Sequence, residues 1–487
     1  MEMAKNNKHF YVTTPIYYAN DIPHIGHIYS SLAADILARW YLLKKYRVFF
    51  LTGTDEHGRK IEKAAERKNL SPKKFVDQLA PQFKNAWRKF NINYNRFIRT
   101  TDPDHIKTAE IILRKIYEKG DIYPGEYEGF YCTECEAYFS EKELEKGKCP
   151  IHQKKVIKLK EQTYFFKLSK YKNQILELLE NDFIRPEFRK REIINRVKEK
   201  LEDISISRKN LKWGIPLPFD KSHVCYVWIE ALLNYLSGIG YIKNKKHFQV
   251  FWPADVQIIG KDILWFHAVI WPALLFSVNI DLPKKIFAHG WWTLNKEKIS
   301  KSRGNVVSAD ELINIAGVDA VRYYLFSETP FGQDGDFDKN SLINRYNNEL
   351  ADKFGNLISR TTALIEKYGL KQNPNPLIKE LNIKTIEMNM ENLDFHQALK
   401  KVFNFIDICN TYIDQKKPWL TKNKSILYHL AENIRLVTII LWPFIPKSCE
   451  KISKNFHFSI SLDETKKPLK IKRIKKFEAI FKKIGNF

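Results

Sequence analysis

The stretch Pro15-Ile16-Tyr17-Tyr18-Ala19-Asn20-Asp21-Ile22-Pro23-His24-Ile25-Gly26-His27 decides how this chain is read. A β-rich run at residues 9–14 leads into it. Behind it Ile28, Leu32, Ile36 and Trp40 recur at helical spacing, with small Ala33 and Ala34 between them. The order is therefore strand, polar loop, helix. Gly26 lets the backbone come close to a ligand, and the imidazoles of His24 and His27 can neutralise phosphate charge. A compact apolar strand follows at residues 47–52, RVFFLT, and ends in Gly53-Thr54-Asp55-Glu56-His57-Gly58. Repeated strand, loop and helix is the doubly wound α/β pattern. Ligands of such sheets sit beyond the carboxyl ends of the strands, where the His24–His27 loop and Asp55 would both fall.

Outward from that half, the pattern breaks near Gly120 into short aromatic strands and a cysteine cluster, and it resumes near residue 225. Tyr226-Val227-Trp228, a strand at residues 256–260, an apolar helix from Asp262 and a strand at residues 286–289 follow. Next comes a second segment suited to a nucleoside triphosphate, Lys298-Ile299-Ser300-Lys301-Ser302, whose ammonium groups can meet phosphate charge. Beyond Asn340 the chain reads as all-helical, with residues 341–368 as its first long helix and Asn373-Pro374-Asn375-Pro376 as its clearest break. The expected domains are 1–119 and 225–297 for the two halves of the α/β domain, 120–224 for an insertion, 298–345 for the lysine loop and a connecting region, and 346–487 for a helix bundle. The Lys-rich last 20 residues are expected to pack loosely.

The 487 residues are 44% apolar, enough to bury real cores and to exclude a disordered chain. A formal net charge of +25 favours a polyanionic partner, because Lys and Arg release counterions from nucleic acid. The N-terminus has no apolar signal-peptide core. The longest apolar stretch, residues 264–276, is interrupted by His267, so no segment is long enough to span a bilayer. A cytoplasmic protein is expected, with its cysteines reduced or bound to metal.

Cys132-x2-Cys135 and Cys149-x2-His152 are separated by thirteen residues. Each close pair makes a tight turn that points two ligands at one ion, and the four together suit tetrahedral zinc. With every position filled by protein, no coordination site is left for substrate. The expected role is structural, one Zn²⁺ per chain, in a region with little apolar core of its own.

His24–His27 and Lys298–Ser302, in that order, resemble the two signature motifs of class I aminoacyl-tRNA synthetases. Six further segments carry the resemblance to the methionyl-tRNA synthetase family: residues 10–20 (FYVTTPIYYAN), 52–58 (TGTDEHG), 226–235 (YVWIEALLNY), 259–271 (IGKDILWFHAVIW), 288–292 (AHGWW) and Lys417-Pro418-Trp419. The synthetases for valine, leucine and isoleucine carry a large editing domain between the two motifs. Only 270 residues separate His27 from Lys298 here, and the insertion takes about a hundred of them. Cysteinyl-tRNA synthetase also lacks that domain, but would grip its substrate with an open zinc site.

The resemblance implies a Rossmann-type catalytic domain with a zinc-binding insertion, followed by an all-α anticodon-binding bundle. It implies activation of L-methionine with ATP, accompanied by Mg²⁺, and transfer to tRNA(Met), including the initiator. It implies that His24 and His27 act on the phosphates from one side and Lys298 and Lys301 from the other. Gly26, Ser300 and Ser302 would complete the ATP site, and Gly304 and Asn305 would shape the lysine loop. Ile16, Tyr18, Trp228, Leu232, Tyr235, Ile263, His267 and Trp271 would line the side-chain pocket, where a soft thioether packs well against aromatic edges. Asp55 would hold the ammonium. Leu232 stands where some relatives have proline, and Glu230 where many have aspartate. Asn356 and Arg360, four apart on one helix face, and Trp419, able to stack on an unpaired base, would read the anticodon. A monomer is expected, or a subunit served by a separate tRNA-binding partner. A nucleotidyltransferase that binds no tRNA and a catalytically dead RNA-binding paralogue are the other classes. The helical C-terminal part argues against the first, and the intact motifs against the second.

Overall fold

The computed structural model describes residues 8–132, 137–139, 141, 144–150, 153–294, 297–298, 308–470 and 474–485. Six parallel strands form the central sheet. Their spatial order is Arg96–Arg99, Arg47–Asp55, His9–Tyr18, Val256–Gly260, Ile286–His289, Ile184–Arg185. The order of the strands reverses between His9–Tyr18 and Val256–Gly260, which creates a crevice at their carboxyl ends.

The first strand runs further than the β-rich run at residues 9–14 indicates. Its pairing with Arg47–Asp55 shifts between Thr13 and Ile16 and then continues to Tyr18. Pro15 lies in the gap, where its missing N–H costs no ladder bond. Side chains alternate across a strand, so Ile16 and Tyr18 share one half-buried face while Tyr17 points into the core. Helix Ile25–Leu43 covers one side of the sheet, with Leu32, Ile36 and Trp40 fully buried. Pro103–Glu118 and Trp271–Val278 belong to the core on the other side.

The insertion is an antiparallel sheet in the order Ala137–Phe139, Ile122–Cys132, Ile157–Phe166, Ile204–Ser205. The chain does not stay in it from residue 120 to 224. Ile184–Arg185 returns to the central sheet and pairs with Ile286 and Phe287. Two residues are too few to leave a periodic trace in the sequence.

The C-terminal part is helical: Asn356–Tyr368, Phe395–Lys416, Lys424–Leu441 and Pro446–Phe456. The expected helix at residues 341–368 contains a stretch of wide π turns at Tyr346–Gly355. The tail departs from the expectation of loose packing. Ile474 and Phe481 are buried, the Phe477 amide donates to Thr362 Oγ1 at 3.0 Å, and Asn347 and Ile484 exchange two hydrogen bonds of 2.9 Å. The apolar residues, spaced among lysines, decide that packing.

Arg322 joins the two halves of the molecule. Its buried guanidinium donates to Asp35 Oδ2 at 2.7 Å on helix Ile25–Leu43, to Phe90 O at 3.0 Å, and to Pro443 O at 2.7 Å and Phe444 O at 3.0 Å in the bundle. Arg39 Nε and the Asn93 amide also donate to Asp35. A buried charge is stable only when paired and hydrogen-bonded, and here the partners lie on both domains.

Candidate active site

His24 caps helix Ile25–Leu43. Its Nδ1 accepts from the Gly26 amide at 3.1 Å, and its own amide donates to His27 Nδ1 at 3.2 Å. Both Nδ1 atoms therefore accept, and in the neutral rings both protons sit on Nε2. The rings stack with centroids 3.9 Å apart. Burial, and then the neighbouring His24, hold the His27 pKa well below its usual value. His27 is thus a neutral Nε2–H donor near pH 7, and the positive potential comes from the helix N-terminus. A Cβ on Gly26 would stand 3.0 Å from His24 Cε1, so glycine leaves room for the capping ring.

Asp55 ends the neighbouring strand, buried and beside Tyr18 in the parallel register. Paired residues of adjacent strands point to the same face, so Asp55 shares its face with Tyr18.

Trp228, Leu232 and Tyr235 come from helices Val227–Leu232 and Asn234–Ser237. Ile263, His267 and Trp271 come from a single rod that begins as a tight 3₁₀ turn at Lys261–Ile263, widens to a π turn at Phe266–Ile270 and ends as α-helix Trp271–Val278. Steps of four residues drift by about 40° per turn in an α-helix; a wider turn reduces that drift and keeps the three on one side. His267 Nδ1 donates to Ile263 O at 3.0 Å, and its Nε2 accepts from the Tyr235 hydroxyl at 2.7 Å. Burial lowers the His267 pKa to about 4, so the ring is neutral. Trp271 lies 5.8 Å from Tyr235, centroid to centroid, and is fully buried. Trp228 stacks on Phe266 at 4.0 Å. The Tyr235 proton is thereby committed to His267, so that hydroxyl has none to offer a sulfur.

Lys298 lies in the two-residue strand Glu297–Lys298, opposite Thr293. Ser300, Lys301, Ser302, Gly304 and Asn305 lie outside the described residues, as do Cys135 and His152. Cys132 and Cys149 are both buried. Cys149 sits in a tight turn: its amide donates to Lys154 O at 2.9 Å, and its carbonyl accepts from the Gln153 amide at 2.8 Å.

The bundle brings Arg360 and Trp419 together, the guanidinium carbon 5.5 Å from the indole centroid. Arg360 also donates to Asp414 Oδ1 at 2.6 Å. Asn356 is exposed, and 36% of Trp419 is open to solvent.

The sequence reading overlooked several groups at the same edge. His289 ends its strand; its Nδ1 donates to Gly290 O at 2.7 Å, and its Nε2 accepts from Ser30 Oγ at 2.6 Å. Asp262 Oδ1 accepts from Trp291 Nε1 at 3.0 Å, and Lys261 pairs with Asp334 at 2.6 Å. Position at the carboxyl end of a parallel strand was the signal that could have found His289 and Asp262.

A family model described as tRNA synthetases class I (M) matches residues 10–158 and 142–362, and one for the anticodon-binding domain of tRNA ligase matches residues 377–487. The chain is 46% identical over 467 residues to the methionine–tRNA ligase of Caldanaerobacter subterraneus subsp. tengcongensis, covering 91% of this chain and 73% of that protein. It is 44% identical to the methionine–tRNA ligase of Rickettsia conorii, covering 92% of each. Mycobacterium tuberculosis methionyl-tRNA synthetase in complex with methionyl-adenylate superposes with a TM-score of 0.93 at 35% identity, over 97% of this chain and 99% of that one. The apo form from the same organism gives 0.86 at 33% identity, over the whole of both chains. Among the described residues no helix is long and apolar enough to cross a membrane.

Proposed function

The chain belongs to the methionine–tRNA ligase family of class I synthetases, and from that membership we propose how its residues divide the work. The enzyme activates methionine with ATP and charges tRNA with it. The observation that carries the residue assignment is the convergence at the strand-order reversal. A histidine-capped helix N-terminus follows strand His9–Tyr18 there, and a buried carboxylate, Asp55, ends the strand beside it; both support the assignment.

Asp55 receives the methionine ammonium. The thioether enters between Ile16, Tyr18, Trp228, Leu232, Tyr235, Ile263, His267 and Trp271. The carboxylate of methionine is already ionised and attacks the α-phosphate, releasing pyrophosphate, so this step needs no general base. It needs alignment and stabilisation of charge spreading over the phosphates. Nε2–H of His24 and His27, the helix N-terminus with Gly26, and Lys298, Ser300, Lys301 and Ser302 supply that. ATP arrives with Mg²⁺. The terminal 2′-hydroxyl of tRNA then takes the acyl group, while Asn356, Arg360 and Trp419 hold the anticodon.

Cys132, Cys135, Cys149 and His152 would hold Zn²⁺. Two buried thiols, one of them in a tight turn, support that donor set. The ion would cross-link the insertion and take no part in the chemistry. The cytoplasm, where charged tRNA is consumed, is the compartment this activity calls for. A monomer, with or without a separate tRNA-binding subunit, is the assembly to test by light scattering.

ATP–pyrophosphate exchange with a panel of amino acids tests the assignment. Exchange is expected to be strongest with methionine and at least about tenfold weaker with cysteine, leucine or isoleucine, the range that an apolar pocket can discriminate. Preferred activation of cysteine overturns it.

A further inference from the structure

Glu230 is a fully buried carboxylate that the mechanism above does not use. It sits on the pocket helix Val227–Leu232, two residues from Trp228 and two from Leu232, so its side chain leaves the helix on the opposite side from theirs. There it accepts two hydrogen bonds. His57 Nδ1 donates to Oε1 at 2.8 Å, and His105 Nε2 donates to Oε2 at 2.8 Å. His105 Nδ1 accepts from Ser237 Oγ at 2.9 Å, and Ser237 O accepts from Arg96 at 3.1 Å. Both imidazoles are buried.

The carboxylate ties its own helix directly to the segment of His57 and to helix Pro103–Glu118, and through His105 to the helix of Ser237. His57 lies two residues past Asp55, on the segment that leaves the strand end. Glu230 belongs to the helix of Trp228 and Leu232, and Ser237 to the short helix of Tyr235. His105 stands on helix Pro103–Glu118, which packs beneath. Trp213 closes the cluster edge-on over His57 at 5.4 Å, while its Nε1 donates to the carbonyl of Glu56. A buried network with all its partners in place admits one arrangement, and a carboxylate with two oxygens on two elements sets the distance between them.

We propose that Glu230 is a positioning residue that sets the distance between the ammonium carboxylate of Asp55 and the aromatic methionine pocket. Substrate length is thereby measured from outside the pocket. A thioether one methylene longer is refused because the helix that carries Trp228 and Leu232 cannot retreat. ATP touches neither His57 nor Glu230 in this scheme, so its binding is independent of the clamp. The proposal rests on the reading of Asp55 and the pocket given above.

The test is methionine-dependent ATP–pyrophosphate exchange by the whole chain and by Glu230→Gln, with KM measured separately for methionine and ATP and with ethionine as a second substrate. Glu230→Gln is expected to raise the methionine KM about tenfold, leave the ATP KM within about twofold, and bring the ethionine-to-methionine kcat/KM ratio closer to one. Glu230→Asp keeps the charge and is expected to recover part of the methionine KM. If Glu230→Gln does not fold, His57→Gln, which leaves the His105 bond in place, is read in the same way. Equal rises in both KM values, a fall in kcat alone, an unchanged ethionine ratio, or loss of fold in both variants overturns the clamp. Failure of the unaltered chain to activate methionine overturns instead the reading on which it rests.

Discussion

At the scale of single residues, the histidines of this enzyme are specified by what their Nδ1 atoms do. His24 and His27 accept backbone amides there, which places the proton of each neutral ring on Nε2. His267 and His289 donate to carbonyls there and turn Nε2 into acceptors for Tyr235 and Ser30. Burial keeps His267 neutral, with its pKa at about 4 against 6.5 for the exposed group. The sign follows. The unfolded chain takes up a proton near pH 6.5 that the folded chain refuses until about pH 4. Stability is therefore complete above 6.5 and is lost as the pH falls towards 4. This group should account for about 2 kcal/mol of the stability lost between pH 7 and pH 5. Urea unfolding of His267→Gln at the two pH values is expected to show a difference smaller than that of the unaltered chain by that amount. An identical difference would mean that the imidazole titrates freely.

At the scale of elements, irregularities place the side chains of the proposed pocket. The register shift at Pro15 carries the first strand on to Tyr18 and brings Ile16 and Tyr18 to the crevice. The π turn at Phe266–Ile270 keeps His267 on the side of Ile263 and Trp271. Wide turns of this kind are rare and are found mostly at functional sites. The insertion has long antiparallel pairing between Ile122–Cys132 and Ile157–Phe166, but most side chains along the first of these strands are exposed or half-buried. Metal binding is its expected source of stability. One zinc per chain should be measured in protein prepared without chelator, with Zn–S distances of roughly 2.3 Å by X-ray absorption. Cys149→Ser is expected to lose the metal and lower the melting temperature, while the methionine KM stays within about twofold. A chain that carries no zinc under those conditions sinks the assignment of all four ligands.

At the scale of the whole molecule, one core runs from helix Ile25–Leu43 into the bundle, and Arg322 ties its two sides together. Its hydrogen bonds to Asp35 and to the 443–444 carbonyls hold the bundle against the helix that carries His24 and His27. On the reading proposed above, the anticodon residues lie in the bundle and both chemical steps at the sheet, so tRNA binding can be weakened without loss of methionine activation. Trp419→Ala should leave tRNA-independent exchange nearly unchanged and raise the tRNA concentration needed for aminoacylation. Loss of base stacking worth roughly 1–3 kcal/mol corresponds to about a 5- to 150-fold rise. Trp419 already shares its face with Arg360, which would flank the stacked base. Equal damage to both assays would make Trp419 a packing residue.

Local order was legible in the sequence. The strand–loop–helix alternation, the histidine pair at a helix start, the apolar helix face of Leu32, Ile36 and Trp40, and the helical C-terminal part all follow from nearest-neighbour chemistry and periodicity. Family resemblance supplied the site residues, and the fold brings His267 and Trp271 each within ring contact of Tyr235. What periodicity could not carry is whatever depends on residues distant in the chain. Ile184–Arg185 is a strand only because Ile286 and Phe287 offer it an edge. Arg322 and Glu230 are polar letters in apolar surroundings, and a sequence alone does not say whether such a group is solvated or buried. The fold supplies Asp35 to Arg322 across 287 positions, and His57 to Glu230 across 173. A buried charge is tolerated only where its partners converge, and that convergence belongs to the tertiary structure.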